Sequence, residues 1–248
     1  MCFTISATTE HVKVAIEDYL KTNKEAQVHF DIDEMGDKHL VSGFAHPHLP
    51  IVKQGSIELG EWGLIPSFAV TSELGNDMQN KTLNARSDTI FERKSFKESI
   101  VNKRCVLIID GFFEWRHAGG DKFPYYIYPK DESVFYLGCI YTIYTDKTTG
   151  DMKDTFSILT TEANTMMQFI HNTKKRMPLI LDKDAIASWI NIDTPVATLK
   201  KLMKPYNEAL MQSHSISKDA GYASKDRNNA NIKEYVAYDQ HTQGNLFD

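Results

Sequence analysis

Between Arg104 and Thr160 the chain is built largely from residues that favour extended backbone, and this stretch limits the fold more than any other. RCVLII (104–109) is a short continuous apolar run, and FFEW (112–115) resumes after an Asp-Gly break. FPYYIYP, VFYLGCIYTIY and TFSILT (123–129, 134–144, 155–160) are rich in aromatic and β-branched residues. Turn-like KDES and TDKTTGD separate them. Runs of this kind predict a meander or barrel of several strands.

Helical signals surround that core. After a strand-like Cys2–Ser6, Thr9 can cap a helix over 10–22, with Val12, Ala15, Ile16 and Tyr19 on one apolar stripe. Residues 31–61 read as loop-rich, and Phe96 and Ile100 suggest a short helix. Thr161 can cap a helix bearing Ala163, Met166, Met167 and Ile170 and ending at His171; Thr194-Pro195 opens another through Met203. The order is neither strictly βαβ nor all-β. The expectation is α+β: a single domain over 1–237 on a barrel-like antiparallel core with peripheral helices, then a flexible tail over 238–248.

With 42% hydrophobic and 25% charged residues over 248 positions, the chain can bury a real core. A formal net charge of −5 argues against a generic basic nucleic-acid coat but leaves room for a local basic groove. No apolar run approaches the roughly 20 residues of a membrane span, and no basic-then-apolar leader opens the chain. A cytoplasmic monomer away from membranes is expected. Three cysteines do not make a disulfide framework, and Cys105 and Cys139 read as core. GxxxxGK[ST], GxGxxG, HExxH and CxxC are missing from the sequence, and the nine histidines show no metal spacing. Neither metal nor cofactor is expected.

Cys2 is harder to place. A disulfide so near the terminus would constrain little chain, and a core thiol is not expected before any burial pattern begins. Methionine is commonly trimmed ahead of a small residue. Trimming would leave an α-amine and a thiol on one Cα.

Four further stretches are odd for purely structural roles. In NARSDT, Asn84 and Arg86 alternate, so a strand would point both to one side. Glu114 interrupts the apolar IIDGFFEW run between Phe113 and Trp115; His171 ends a helix and Arg176 starts an apolar strand in FIHNTKKRMPLIL. His214 and Lys218 fall in a polar loop, SHSISK. Taken singly, each has an ordinary reading: a solvated strand residue, a helix C-cap, a structural ion pair, a solvated run.

In combination, N-terminal MC, WGLIP, NARSDT, RC(x)5DGFFEW and IH(x)4RMPLIL closely resemble the SOS response-associated peptidase family, whose members cross-link to abasic sites in single-stranded DNA. The resemblance runs from Cys2 to about Lys233. It implies that Cys2 is the N-terminal nucleophile after loss of Met1, that Asn84 holds the Cys2 terminus, and that Arg86 contacts DNA phosphate. Glu114 would be the acid/base group and His171 the second proton-transfer residue. Trp62 of WGLIP would stack on a base beside the abasic site, and His214 would line the same region. Phe3 and Thr4 replace a common Gly-Arg pair, and Phe68 stands where tryptophan is frequent.

The implied chemistry suits these residues. The open abasic sugar is an aldehyde; an amine gives an imine, and a thiol on the same residue closes a five-membered thiazolidine. An α-amine, with pKa about 7.7–8.0, is substantially neutral near pH 7, whereas lysine at about 10.4 is not. Glu114 between aromatic residues should have a raised pKa, and His171 should titrate near neutrality. Arg86, Arg176, Lys218 and Trp62, with Phe44 and Phe68, are candidates to grip single-stranded DNA. Lyase-like cross-linking in the DNA damage response is the primary reading. A thiol peptidase or amidohydrolase using Cys2, even one limited to removing Met1, is the alternative; a non-enzymatic single-strand-binding module would leave Cys2 and Glu114 idle. Bound to DNA, the protein would be nucleoid-associated. The tail QGNLFD offers Gln243, Leu246 and Phe247 in a Q-x-x-L-F pattern resembling peptides that dock on the sliding clamp.

Overall fold

A computed structural model describes residues 2–69 and 71–238. In chain order its first half runs β1 (Thr4–Ala7), α1 (Thr9–Thr22), β2 (Gln27–Val28), β3 (Lys38–Ser42), β4 (His48–Lys53), β5 (Ser56–Trp62), α2 (Ser72–Gln79), β6 (Asn84–Arg86) and α3 (Ser99–Asn102). The strand-rich middle holds β7 (Arg104–Ile109), β8 (Gly111–Ala118), β9 (Asp121–Pro129), β10 (Phe135–Thr145) and β11 (Met152–Glu162). Then come α4 (Thr165–Ile170), β12 (Arg176–Pro178), β13 (Ile180–Leu181), α5 (Ile186–Ile190), α6 (Val196–Leu202) and β14 (Met211–Ser215).

The strands form the expected α+β core. Strands β11-β10-β7-β4-β5 hydrogen-bond in that order, and a parallel pairing of β5 with β11 (Thr155 opposite Glu61, Phe156 opposite Trp62) closes them into a barrel. Closure removes the free edges that would otherwise template aggregation. Every residue of β7 is buried, because one face fills the barrel and α1 and α5 cover the other. That explains its continuous apolar run. A second sheet, β14-β9-β8-β1-β3, lies beside the barrel.

Several local expectations are corrected. The segment read as loop-rich contains β3, β4 and β5, and β4 and β5 are barrel staves. Thr161 does not cap a helix: β11 continues through Glu162, and the cap is Asn164, whose side chain accepts from the Met167 amide at 2.9 Å. His214 lies on β14 opposite Tyr126, not in a loop. Tyr238, at the start of the expected tail, donates its hydroxyl to the Ile216 carbonyl at 2.7 Å. Gln243, Leu246 and Phe247 lie outside the described residues. Among the described residues no helix is long and apolar enough to cross a membrane, and no group of His, Cys, Asp and Glu side chains is arranged to hold a metal ion.

Candidate active site

The pairing of β1 with β8 builds the centre. Ile5 lies opposite Phe112 and Ser6 opposite Gly111, so the antiparallel pairing directs the residues before β1 towards the part of β8 that carries Glu114. Cys2 therefore enters next to the carboxyl of β8. From the barrel side, β6 runs parallel to β11, with Asn84 opposite Ile158, and Asn84 Nδ2 donates to the Cys2 carbonyl oxygen at 2.9 Å. The Asn84 Oδ1 is buried without a hydrogen bond among the described residues. His171 is the C-cap of α4, and its Nδ1 lies 2.8 Å from the Arg176 carbonyl. A carbonyl only accepts, so Nδ1 carries the hydrogen and Nε2 is left as an acceptor.

Burial sets the electrostatics. Cys2 is wholly buried, contrary to the expectation that position 2 holds no core thiol. Burial, with the Glu114 carboxylate beside it, pushes the Cys2 thiol far up. Glu114 is 5% exposed, and desolvation raises its pKa to about 7. His171 departs from the expectation of near-neutral titration: burial, joined by nearby positive charge including Lys174, lowers it to about 4. A helix C-terminus favours a charged histidine, but here desolvation wins.

Glu114 and His171 line a cleft of about 870 Å³. Its other charged lining residues are Lys122, Lys174, Lys218 and Arg227 against Asp121 alone. The protein's acidic balance thus gives way locally to a basic groove. Lys218 pairs with Asp121 at 3.2 Å and lies 4.8 Å above the Phe123 ring. The spacing of Lys122, Lys174 and Arg227 along the sequence gives no signal of ligand binding; only the fold brings them to one groove.

The remaining predicted residues are placed unevenly. Arg86 is 54% exposed and bonds Asp88 through Nε at 3.0 Å and Nη2 at 2.5 Å. Arg176 is buried, donates to the Thr160 carbonyl and hydroxyl, and lies 3.5 Å from the same Asp88. It is a structural cation more than a free phosphate ligand. Trp62 departs most from expectation. It is 0% exposed, its Nε1 donates to the Leu83 carbonyl at 2.9 Å, and its ring stacks on Phe156, so it offers no face to a base. His214 is held against the Lys233 carbonyl at 2.6 Å and edge-on to Tyr126 and Tyr128, and it is not among the cleft's lining residues. Phe68 is half-buried with Lys94 4.5 Å above its ring, whereas Phe44 is 56% exposed.

A buried thiol, a carboxyl balanced near neutrality and a neutral imidazole gather beside a mainly cationic cleft of an α+β protein. The chain belongs to the SOS response associated peptidase (SRAP) family, whose model matches residues 1–223. The abasic site processing protein HMCES of Gallus gallus is 34% identical over 165 residues, 58% of this chain and 48% of that protein. This chain therefore matches about half the length of that relative. The abasic site processing protein YoqW of Bacillus subtilis is 32% identical over 195 residues, 73% of this chain and 84% of that one. A crystal structure of a Bacteroides thetaiotaomicron protein superposes with a TM-score of 0.85 at 36% identity, covering 95% of this chain and all of that one.

Proposed function

We propose that this protein captures abasic sites in single-stranded DNA by forming a thiazolidine at Cys2 once Met1 is removed. One observation carries the reading: Cys2, Asn84, Glu114 and His171, far apart in sequence, meet beside a cleft whose charged walls are mainly cationic. Relatives named as abasic site processing proteins point the same way.

The Cys2 amine attacks C1′ of the open sugar, and loss of water gives an imine. The thiol then adds to the same carbon: an S–C1′ bond forms and the thiol proton passes to nitrogen. Overall one water is lost, and no oxidant is consumed. Because burial keeps the thiol protonated, the amine leads and the thiol closes the ring. Asn84 Nδ2 fixes the Cys2 carbonyl, and its buried Oδ1 is an acceptor for an amine N–H. Glu114, about half protonated near pH 7, gives a proton to O4′ as the sugar opens and to the departing hydroxyl of the carbinolamine. His171, neutral with Nε2 as acceptor, takes the matching proton. A thiolate-led peptidase would instead want a Cys⁻/His⁺ pair, and burial opposes both charges.

The test incubates protein lacking Met1 with abasic and intact single-stranded oligonucleotides. A denaturation-resistant adduct with the abasic strand only, its mass the sum of the two minus one water, is expected. An adduct mapped to a lysine, or equal adducts with intact DNA, would overturn the proposal.

A further inference from the structure

The turn at Ser42–His46 displays an aromatic ring against Phe3, the residue after Cys2, and is built to hold it there. Phe44 is 56% exposed on a short 3-10 turn, Gly43–Ala45, and packs against Phe3 with ring centroids 5.1 Å apart. Phe3 lines the cleft with Glu114. The turn is fixed from three sides. The Gly43 amide donates to the Phe3 carbonyl at 2.9 Å. The Ser42 hydroxyl accepts from the Phe44 amide at 3.3 Å. His46 closes it in the left-handed region at φ 46°, with its Nδ1 2.8 Å from the Trp62 carbonyl.

Trp62 sits directly under this turn. A Cβ on Gly43 would lie 3.0 Å from the Trp62 ring, so only glycine lets the turn seat so closely. Gly63, at φ 119°, carries the chain past His46, where a Cβ would lie 2.9 Å from the ring nitrogen. A left-handed non-glycine residue and two crowded glycines are unusual outlays for a surface loop whose product is an exposed phenyl ring.

We propose that Phe44, backed by Phe3, is the platform on which the nucleobase next to the abasic nucleotide stacks, and that Trp62 is its buried support. The proposal rests on the capture reading above. Stacking suits an unpaired base because every base has a π face, and it places the neighbour so that the base-free sugar falls at Cys2. The cationic cleft that Phe3 lines supplies the phosphate contacts that make a nucleic acid strand, and not a second apolar surface, the fitting occupant. Phe44 acts as a positioning residue.

The experiment compares the full protein with Phe44→Ala, Phe44→Leu and Phe44→Trp. One abasic oligonucleotide is flanked by 2-aminopurine and another by base-free spacers. On the base-flanked strand, Phe44→Ala should raise the half-saturating DNA concentration roughly tenfold. That change should exceed any change in the saturating rate and should vanish on the spacer-flanked strand. Tryptophan should restore affinity and leucine should not. Quenching of 2-aminopurine in an intact strand, which needs no adduct, should weaken with alanine, so the platform is read even if capture itself fails. Equal half-saturation for wild type and Phe44→Ala, or the same loss on both strands, would overturn the proposal. So would a wild-type dimer in sedimentation that Phe44→Ala abolishes, which would make the ring a contact between copies.

Discussion

Asn84 grips Cys2 by its carbonyl: the side-chain amide donates to that oxygen across 2.9 Å, from a strand held in parallel register on β11. The carbonyl fixes which way the amide faces, and so leaves Oδ1 as the acceptor on the same side chain. Asn84→Ala should slow adduct formation about tenfold, the loss of roughly one hydrogen bond of 1–1.5 kcal/mol. Single-turnover gel assays measure it. An unchanged rate would return Asn84 to a packing role.

Cys2→Ala should give no adduct that survives denaturation, because the α-amine alone makes a reversible imine. Borohydride should trap that imine, and mass spectrometry should place it on the N-terminal residue. A stable cross-link in the alanine protein would exclude ring closure by the thiol.

Glu114→Gln should cut the adduct rate by about 10²–10⁴, the range for a positioned proton donor. Stability should move the other way. The folded-state pKa of about 7 lies above the unfolded value near 4.5, so ionisation penalises the folded protein as pH rises through that window. Relative to wild type, Glu114→Gln should gain stability between pH 4.5 and 8, by on the order of 3 kcal/mol at most. Urea melts at the two pH values test this, and a pH-independent difference would contradict it.

His171 has the opposite window. Its folded pKa of about 4 lies below the usual 6.5, so protonation of the unfolded chain erodes wild-type stability as pH falls from about 6.5 towards 4. His171→Gln should lose part of that acid sensitivity and should slow cross-linking more than it weakens binding to intact single-stranded DNA. Parallel acid melts and anisotropy titrations separate the two effects.

Arg86→Ala should weaken strand binding and lower the slope of log affinity against log salt by about 0.7, one phosphate contact on a single strand. Thermal stability should change little, since the exposed Arg86–Asp88 pair contributes at most about 1 kcal/mol. An unaltered salt slope would mean that Arg86 serves only Asp88.

The strands from Arg104 to Thr160 were legible because aromatic and β-branched residues crowd together there, and the helix over α1 because its apolar residues repeat at helical spacing. Strands β4 and β5 were not. Pro50 interrupts one and charged residues punctuate the other, and only pairing between them and closure onto β11 makes them staves. Taken singly, Cys2, Asn84, Glu114 and His171 had ordinary readings, and it was the resemblance carried by MC, NARSDT, DGFFEW and IH(x)4RMPLIL that joined them. What the sequence could not supply was depth. Whether an indole stacks on a ligand or fills a core depends on which side of a closed sheet it faces, and Trp62 faces inward while Phe44 faces out. Whether a histidine is charged depends on the water around it, and tertiary packing took that water from His171 and Glu114 alike. Local chemistry is written along the chain, but desolvation is a property of surfaces that meet only when the chain has folded.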